Sequence, residues 1–242
     1  MKKSILSVVA FALMSVPSFA QDLQLHYDFG RNMYSNEEAG RPKVTLTYEA
    51  FKADKWGSWY YFVDVDFSRK FTEAAYTEIS REFNIGQKGF AAHVEYDGGL
   101  SARSGSYQQA ALIGPAWNGH NEDFSTTYSV QLMYKQYFKS YSYTSPYASV
   151  QLTGVWSTTF ADKALTFSGF IDFWRGEKSN GHGQLVMITE PQLWYNFNTL
   201  DGMEDVNLSV GTEWEISNNF IYNTYNAQPF FFNPTLALKW TF

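Results

Sequence analysis

Residues 231–242 read FFNPTLALKWTF, and this stretch decides the fold. Phe232, Pro234, Leu236, Leu238, Trp240 and Phe242 fall on every second position. Successive side chains of a strand point to opposite sides of a pleated sheet, so this spacing predicts a strand with one apolar and one polar face. What the apolar face meets is answered by the rest of the chain.

The same alternation recurs from the other end. Leu23, Leu25, Tyr27 and Phe29 alternate with Gln24, His26 and Asp28, and Val44, Leu46 and Tyr48 with Thr45, Thr47 and Glu49. Trp59, Tyr61, Val63 and Val65 oppose Tyr60, Phe62, Asp64 and Asp66; Phe90, Ala92, Val94 and Tyr96 oppose His93, Glu95 and Asp97. In YTEISREFNI, residues 76–85, the acids Glu78 and Glu82 share a face with Tyr76 and Ser80, which leaves Arg81 on the apolar side with Ile79 and Phe83. Further segments, among them Phe124 to Tyr134, Leu165 to Phe173, Leu185 to Phe197 and Val206 to Ile216, bring the total to about twelve, an even number in the range of outer-membrane barrels.

Composition narrows the class. Aromatic residues make up 19% of the 242 residues, there is no cysteine, and the formal net charge is −6. Thiol chemistry and disulfides are excluded, and the acidic balance argues against a nucleic-acid partner. The leading MKKSILSVVAFALMSVPSFA has Lys2 and Lys3, an apolar run, and the small residues Ser18 and Ala20. It is expected to be a secretory signal over residues 1–20, followed by a barrel over 21–242. Beyond it no run is apolar for long enough to cross a bilayer as a helix.

The connections alternate in length. Residues 53–55, 86–89, 118–123 and 161–163 are short, whereas 31–42, 97–107, 174–183 and 217–230 are long. Short periplasmic turns and long outer loops are expected of a transmembrane antiparallel barrel with both termini periplasmic, sited in the bacterial outer membrane with lipid around it. Its apolar faces would meet that lipid, with Tyr27, Tyr48, Trp59, Tyr134, Trp214 and Trp240 at the interfacial girdles. In this setting NPTLALKWTF resembles the terminal strand by which outer-membrane barrels are recognised by the barrel-assembly machinery, with Trp240 and Phe242 as its aromatic signal.

The polar faces then line a lumen. Asp64, Asp66, Glu78, Glu95 and Asp172 are the candidate selectivity residues of an acidic mouth, because carboxylates in a narrow channel concentrate cations and repel anions. Asp28, Asp97, Glu213 and Glu215 share these faces, opposed by a few bases: His26, His93, Lys135 and Lys239. Phe62, Phe170 and Trp194 are candidate stacking surfaces for a planar solute. Inward rings equally fill the interior of small barrels. Asp64, Asp66 and Glu78 form a set of hard oxygen ligands suited to calcium, but carboxylates two apart on a polar strand face are common without metal, and no metal or cofactor is expected.

LQLHYDFGRN (23–32), VTLTYEAFKADKWGSWYYFVDVDFS (44–68) and YTEISREFNI together resemble the Tsx-like nucleoside-specific channels of the outer membrane. The resemblance covers the mature chain as a pattern of segments but only its first third as words. It implies a narrow twelve-stranded channel for nucleosides or other small solutes, and assigns no contact residue. Two other classes compete. A non-conducting barrel would act in adhesion or structure through its outer loops, notably 217–232. A barrel phospholipase would need a serine beside an imidazole. His120 and His182 fall in connections and His26 and His93 have no serine beside them on the strand, so an enzyme is not expected.

Overall fold

The computed structural model describes residues 20–68, 71–86, 88–102, 105–139, 145–177, 183–221 and 228–242. The expected leader, Ala20 apart, and much of the 217–230 loop lie outside the described residues. The strands are β1 (Ala20–Asp28), β2 (Val44–Asp54), β3 (Gly57–Phe67), β4 (Thr72–Asn84), β5 (Phe90–Ser101), β6 (Ala110–His120) and β7 (Thr126–Tyr137). They continue as β8 (Tyr147–Phe160), β9 (Leu165–Glu177), β10 (Gly183–Thr189), β11 (Gln192–Asn196), β12 (Leu208–Asn218) and β13 (Phe230–Thr241). A four-residue helix, α1 (Gly30–Met33), opens the first connection.

Each strand pairs antiparallel with its neighbours, and β1 pairs with β13, with Leu23 opposite Trp240, Leu25 opposite Leu238 and Tyr27 opposite Leu236. The sheet closes on itself. Closure matters because a backbone N–H or C=O left unpaired in hydrocarbon costs several kcal/mol, and a barrel has no edge to leave. Segments β10 and β11 both run between β9 and β12 and form one stave, so thirteen segments make the expected twelve staves.

The reading of residues 185–197 as one uninterrupted strand needs correction. The ladder breaks at Glu190 and Pro191, since proline has no N–H to give. Gly169 on β9 makes room for the break: its φ is 152°, and a Cβ there would lie 2.6 Å from the Glu190 carbonyl and 2.8 Å from Pro191 Cα. The regular alternation of connection lengths also has exceptions. At the end carrying the long loops, β3 and β4 are joined by 68–71 alone; at the end carrying both termini, β11 and β12 are joined by the eleven residues 197–207, with a short 3₁₀ turn over Phe197–Thr199.

The two faces are as the alternation predicts. Leu25, Tyr27, Ile79, Phe83, Ile113, Leu132, Leu152, Leu236, Leu238 and Trp240 stand exposed on the outside, while Gln24, His26, His93, Asp97, Gln131, Lys135, Gln151 and Asn233 are buried inside. This inverts a water-soluble barrel and calls for an apolar surrounding medium. No helix among the described residues is long and apolar enough to cross a membrane; the strands are the crossing elements. The parity of 76–85 also follows the alternation, with Arg81 outside. There its guanidinium lies 5.1 Å from the Trp59 ring and 5.0 Å from the Phe83 ring, and its Nη2 donates to Asp54 Oδ1 at 2.8 Å. The two rings cover the cation's faces and the carboxylate neutralises it near the rim.

Candidate functional site

The lumen is built from side chains two apart along each stave. On β3, Asp64 and Asp66 each accept a hydrogen bond from a threonine of β2: Thr47 for Asp64, and Thr45 for Asp66 at 2.6 Å. The pairing follows from register, since Thr47 stands opposite Asp64 and Thr45 opposite Asp66. On β9, Asp172 likewise accepts from Thr153, its partner on β8. A threonine opposite an aspartate gives the carboxylate a donor without neutralising its charge.

Glu78 departs from the expected grouping. Register sets it opposite Phe62 on one side and Asp97 on the other, away from Asp64 and Asp66. It forms instead a cluster with Glu95 and Asp97, whose ligand oxygens lie within 4.8 Å of one another. Like charges so placed repel, and the surroundings supply compensation. Lys135 on β7 reaches over β6 to Asp97 Oδ2 at 3.0 Å, both side chains almost wholly buried at 9% and 5% exposure. Tyr76 Oη donates to Glu78 at 2.9 Å, and His93 bridges Glu82 at 3.2 Å and Glu95 at 3.1 Å. Lys135 can reach because β6 presents only small or apolar residues between, Ala110 and Leu112, which with Met133 and Tyr137 form a compact apolar cluster beside it.

Phe62 and Phe170 are half-buried on the inner face, Phe62 with Tyr60 and Tyr76 at 6.2 and 6.1 Å between ring centres. Trp194 requires correction as a stacking surface. It is 0% exposed: Lys239 Nζ sits 4.2 Å from its ring centre, His26 meets it edge-on at 6.1 Å, and its Nε1 donates to Gln192 at 2.9 Å. Three neighbours from β1, β11 and β13 already occupy it. A sequence cannot show this, because the contacts span the barrel seam.

At the loop end lies a group the alternation gave no sign of. Arg41, in the connection between β1 and β2, turns onto the inner wall and donates through Nη2 to Asp28 and to Glu215, each at 2.8 Å, with Nε and Nη1 adding bonds at 3.0 and 3.2 Å. Burial opposes the Arg41 charge, but Glu215 and Asp28 outweigh it and raise its pKa, so the guanidinium stays charged. Glu38 of the same connection is buried and accepts from Asn233 Nδ2 at 2.8 Å. Tyr34 packs edge-on to Phe231 at 5.0 Å. Asp28 and Glu215 at this end are therefore paired with a cation that a loop supplies. Arg41 escaped the sequence reading because a charged residue in a connection carries no periodicity to place it.

An apolar exterior, a ladder closed through β1 and β13, and an interior lined by carboxylates define a transmembrane β-barrel. The chain belongs to the family described as "Domain of unknown function (DUF5020)", whose model matches residues 20–242. No curated protein matches it by sequence. Among solved structures it is similar to the NanC porin, at 11% identity and a TM-score of 0.57 over 92% of this chain and 99% of that one. Further likenesses are to the KdgM porin, 12% identical with a TM-score of 0.49 over 92% and 99%, and to the translocator domain of the autotransporter NalP from Neisseria meningitidis, 11% identical with a TM-score of 0.44 over 100% and 95%. At this identity the first likeness establishes the barrel fold.

Proposed function

We propose that the protein is a passive outer-membrane channel for small neutral or cationic solutes, nucleosides among them, with both termini and the short turns in the periplasm. The observation that carries the reading is the set of inward carboxylates on β3, β4, β5 and β9 that have no Lys or Arg ion partner among the described residues: Asp64, Asp66 and Asp172 on threonines, Glu78 on a tyrosine, and Glu95 on His93. Charges of one sign in a narrow, low-dielectric passage raise the local cation concentration. The half-buried faces of Phe62 and Phe170 offer a planar solute a stacking surface, each base–ring contact contributing about 1–3 kcal/mol. The terminal Trp240 and Phe242 serve recognition by the assembly machinery, and the exterior belt holds the lipid.

The test is conductance in a planar bilayer under a salt gradient. The wild-type channel is expected to prefer cations, and Asp64→Asn with Asp66→Asn to move the reversal potential toward anions. Blockade by added nucleosides would identify that substrate class; indifference to them would remove it and leave the pore. An unchanged reversal potential would remove the two aspartates from the selectivity set. One feature favours a second reading, a closed barrel acting through its loops: Trp194, Phe231 and the seated first connection fill part of the interior. A folded protein that leaves the bilayer silent decides for it.

A further inference from the structure

The first connection, residues 29–43, is fastened to the inner wall at a point where the hydrogen bonds do not close. Asn233 on β13 donates both Nδ2 protons, to Glu38 Oε1 at 2.8 Å and to Glu215 Oε1 at 3.1 Å, which fixes its amide orientation: a flipped amide would set its oxygen against two carboxylates. Its Oδ1 is then left buried without a partner among the described residues, and so is Glu38 Oε2. The two orphaned oxygens converge on Gly30. A Cβ built there would meet Asn233 Oδ1 at 2.4 Å and Glu38 Oε2 at 2.7 Å, so no larger side chain fits at this position. Two buried acceptors brought to one point without a donor each keep the penalty of lost hydration.

A single proton removes the conflict. We propose that Glu38 holds a proton while residues 29–43 are seated, donating from Oε2 to Asn233 Oδ1, and that losing it unlatches the segment from the barrel mouth. A neutral carboxyl has one O–H to give and keeps acceptor capacity for the Asn233 amide, so both orphans are satisfied at once. The charged groups around it agree. Asp28 on β1 and Glu215 on β12 carry negative charge beside it, and the cation facing it among the described residues, Arg41 of its own segment, lies 3.6 Å from Glu38 Oε1 but is already shared between those two acids at 2.8 Å. Burial, with Glu215 and Asp28 adding to it, raises the Glu38 pKa against the opposing pull of Arg41 and Asn233. The seated segment binds the proton more tightly than the released one. Seating is therefore complete at low pH and is lost as pH rises through the pKa of the seated form, the seated-to-released ratio falling up to about tenfold per pH unit in that window.

As a latch this stands apart from the channel reading; only as a gate does it rest on it. The chain has no cysteine, so Ala39→Cys at an exposed position of the segment accepts a single spin label. Label mobility in the lipid-reconstituted barrel is measured from about pH 4 to about pH 9, bracketing the carboxylate range and its upward displacement. A mobile component that grows with pH is expected in the wild-type background. Adding Glu38→Gln, whose amide N–H replaces the proton, is expected to keep the label immobile throughout. A label whose mobility does not change with pH overturns the proposal, as does the same transition persisting in E38Q. The first series needs only the labelled A39C protein to fold. A silent bilayer alongside a pH-dependent label removes the channel and keeps the latch; a conducting barrel with a pH-insensitive label does the reverse.

Discussion

The two sides of the lumen hold their buried acids by different means. On the side formed by β4 to β9 the compensating cation belongs to the sheet, since Lys135 projects from β7 to Asp97 and sits 5.2 Å from the ring centres of both Tyr137 and Trp174. At the loop end of the side formed by β12, β13 and β1 the cation that holds Asp28 and Glu215 is Arg41, brought in by a connection. A sheet-borne charge is fixed by the ladders on both flanks of its strand, whereas a loop-borne one leaves when the loop does. The Lys135 group is built to stay, the Arg41 group to be released.

Lys135→Met tests the fixed side and carries the largest expected effect. It strands Asp97 as a buried charge, which costs about 3–5 kcal/mol when one partner of a buried pair is removed. The folded barrel should unfold at markedly lower temperature or denaturant, followed by the heat-dependent mobility shift of the folded band on a gel; the double variant K135M with Asp97→Asn should recover most of the loss. Arg41→Gln tests the other side. Arg41 is 21% exposed and the mouth lets water reach Asp28 and Glu215 once the segment moves, so the global loss should be smaller, about 1–2 kcal/mol. The A39C label should nevertheless become mobile at every pH. Equal global losses for the two variants would erase the distinction drawn between the sides. Arg81→Met, on the outer face, should have the least effect, below about 1 kcal/mol, because its partner Asp54 is 31% exposed and methionine keeps the apolar contacts with Trp59 and Phe83.

Face assignment was legible in the sequence to a degree that depth and contact were not. Period two is a local property: once Trp59 is outside, Phe62, Asp64 and Asp66 must be inside, and the same logic carried even Arg81 to the outer face, where Trp59 and Phe83 shelter it. Which inward residues touch depends on the stagger of one stave against the next. Stagger is why Glu78 meets Asp97 and Glu95 in place of Asp64, and why Lys135 skips a strand to find its partner. The break at Pro191 could have been read from the missing N–H, but its neighbour Gly169 lies on another strand, and only the register brings the two together.

By itself the sequence determined the barrel: strand after strand of alternating residues, too polar for helical spanning and too apolar on one face for water, has no other way to satisfy its backbone and both its solvents. The tertiary structure alone decided the character of the interior, placing Arg41 and Glu38 on the wall at the mouth and closing Trp194 behind Lys239 and His26. The reason is one of range. Alternation is set by each residue's own backbone, while a contact across the lumen is set by strand stagger, barrel width and the path of a loop, none of which any single segment specifies.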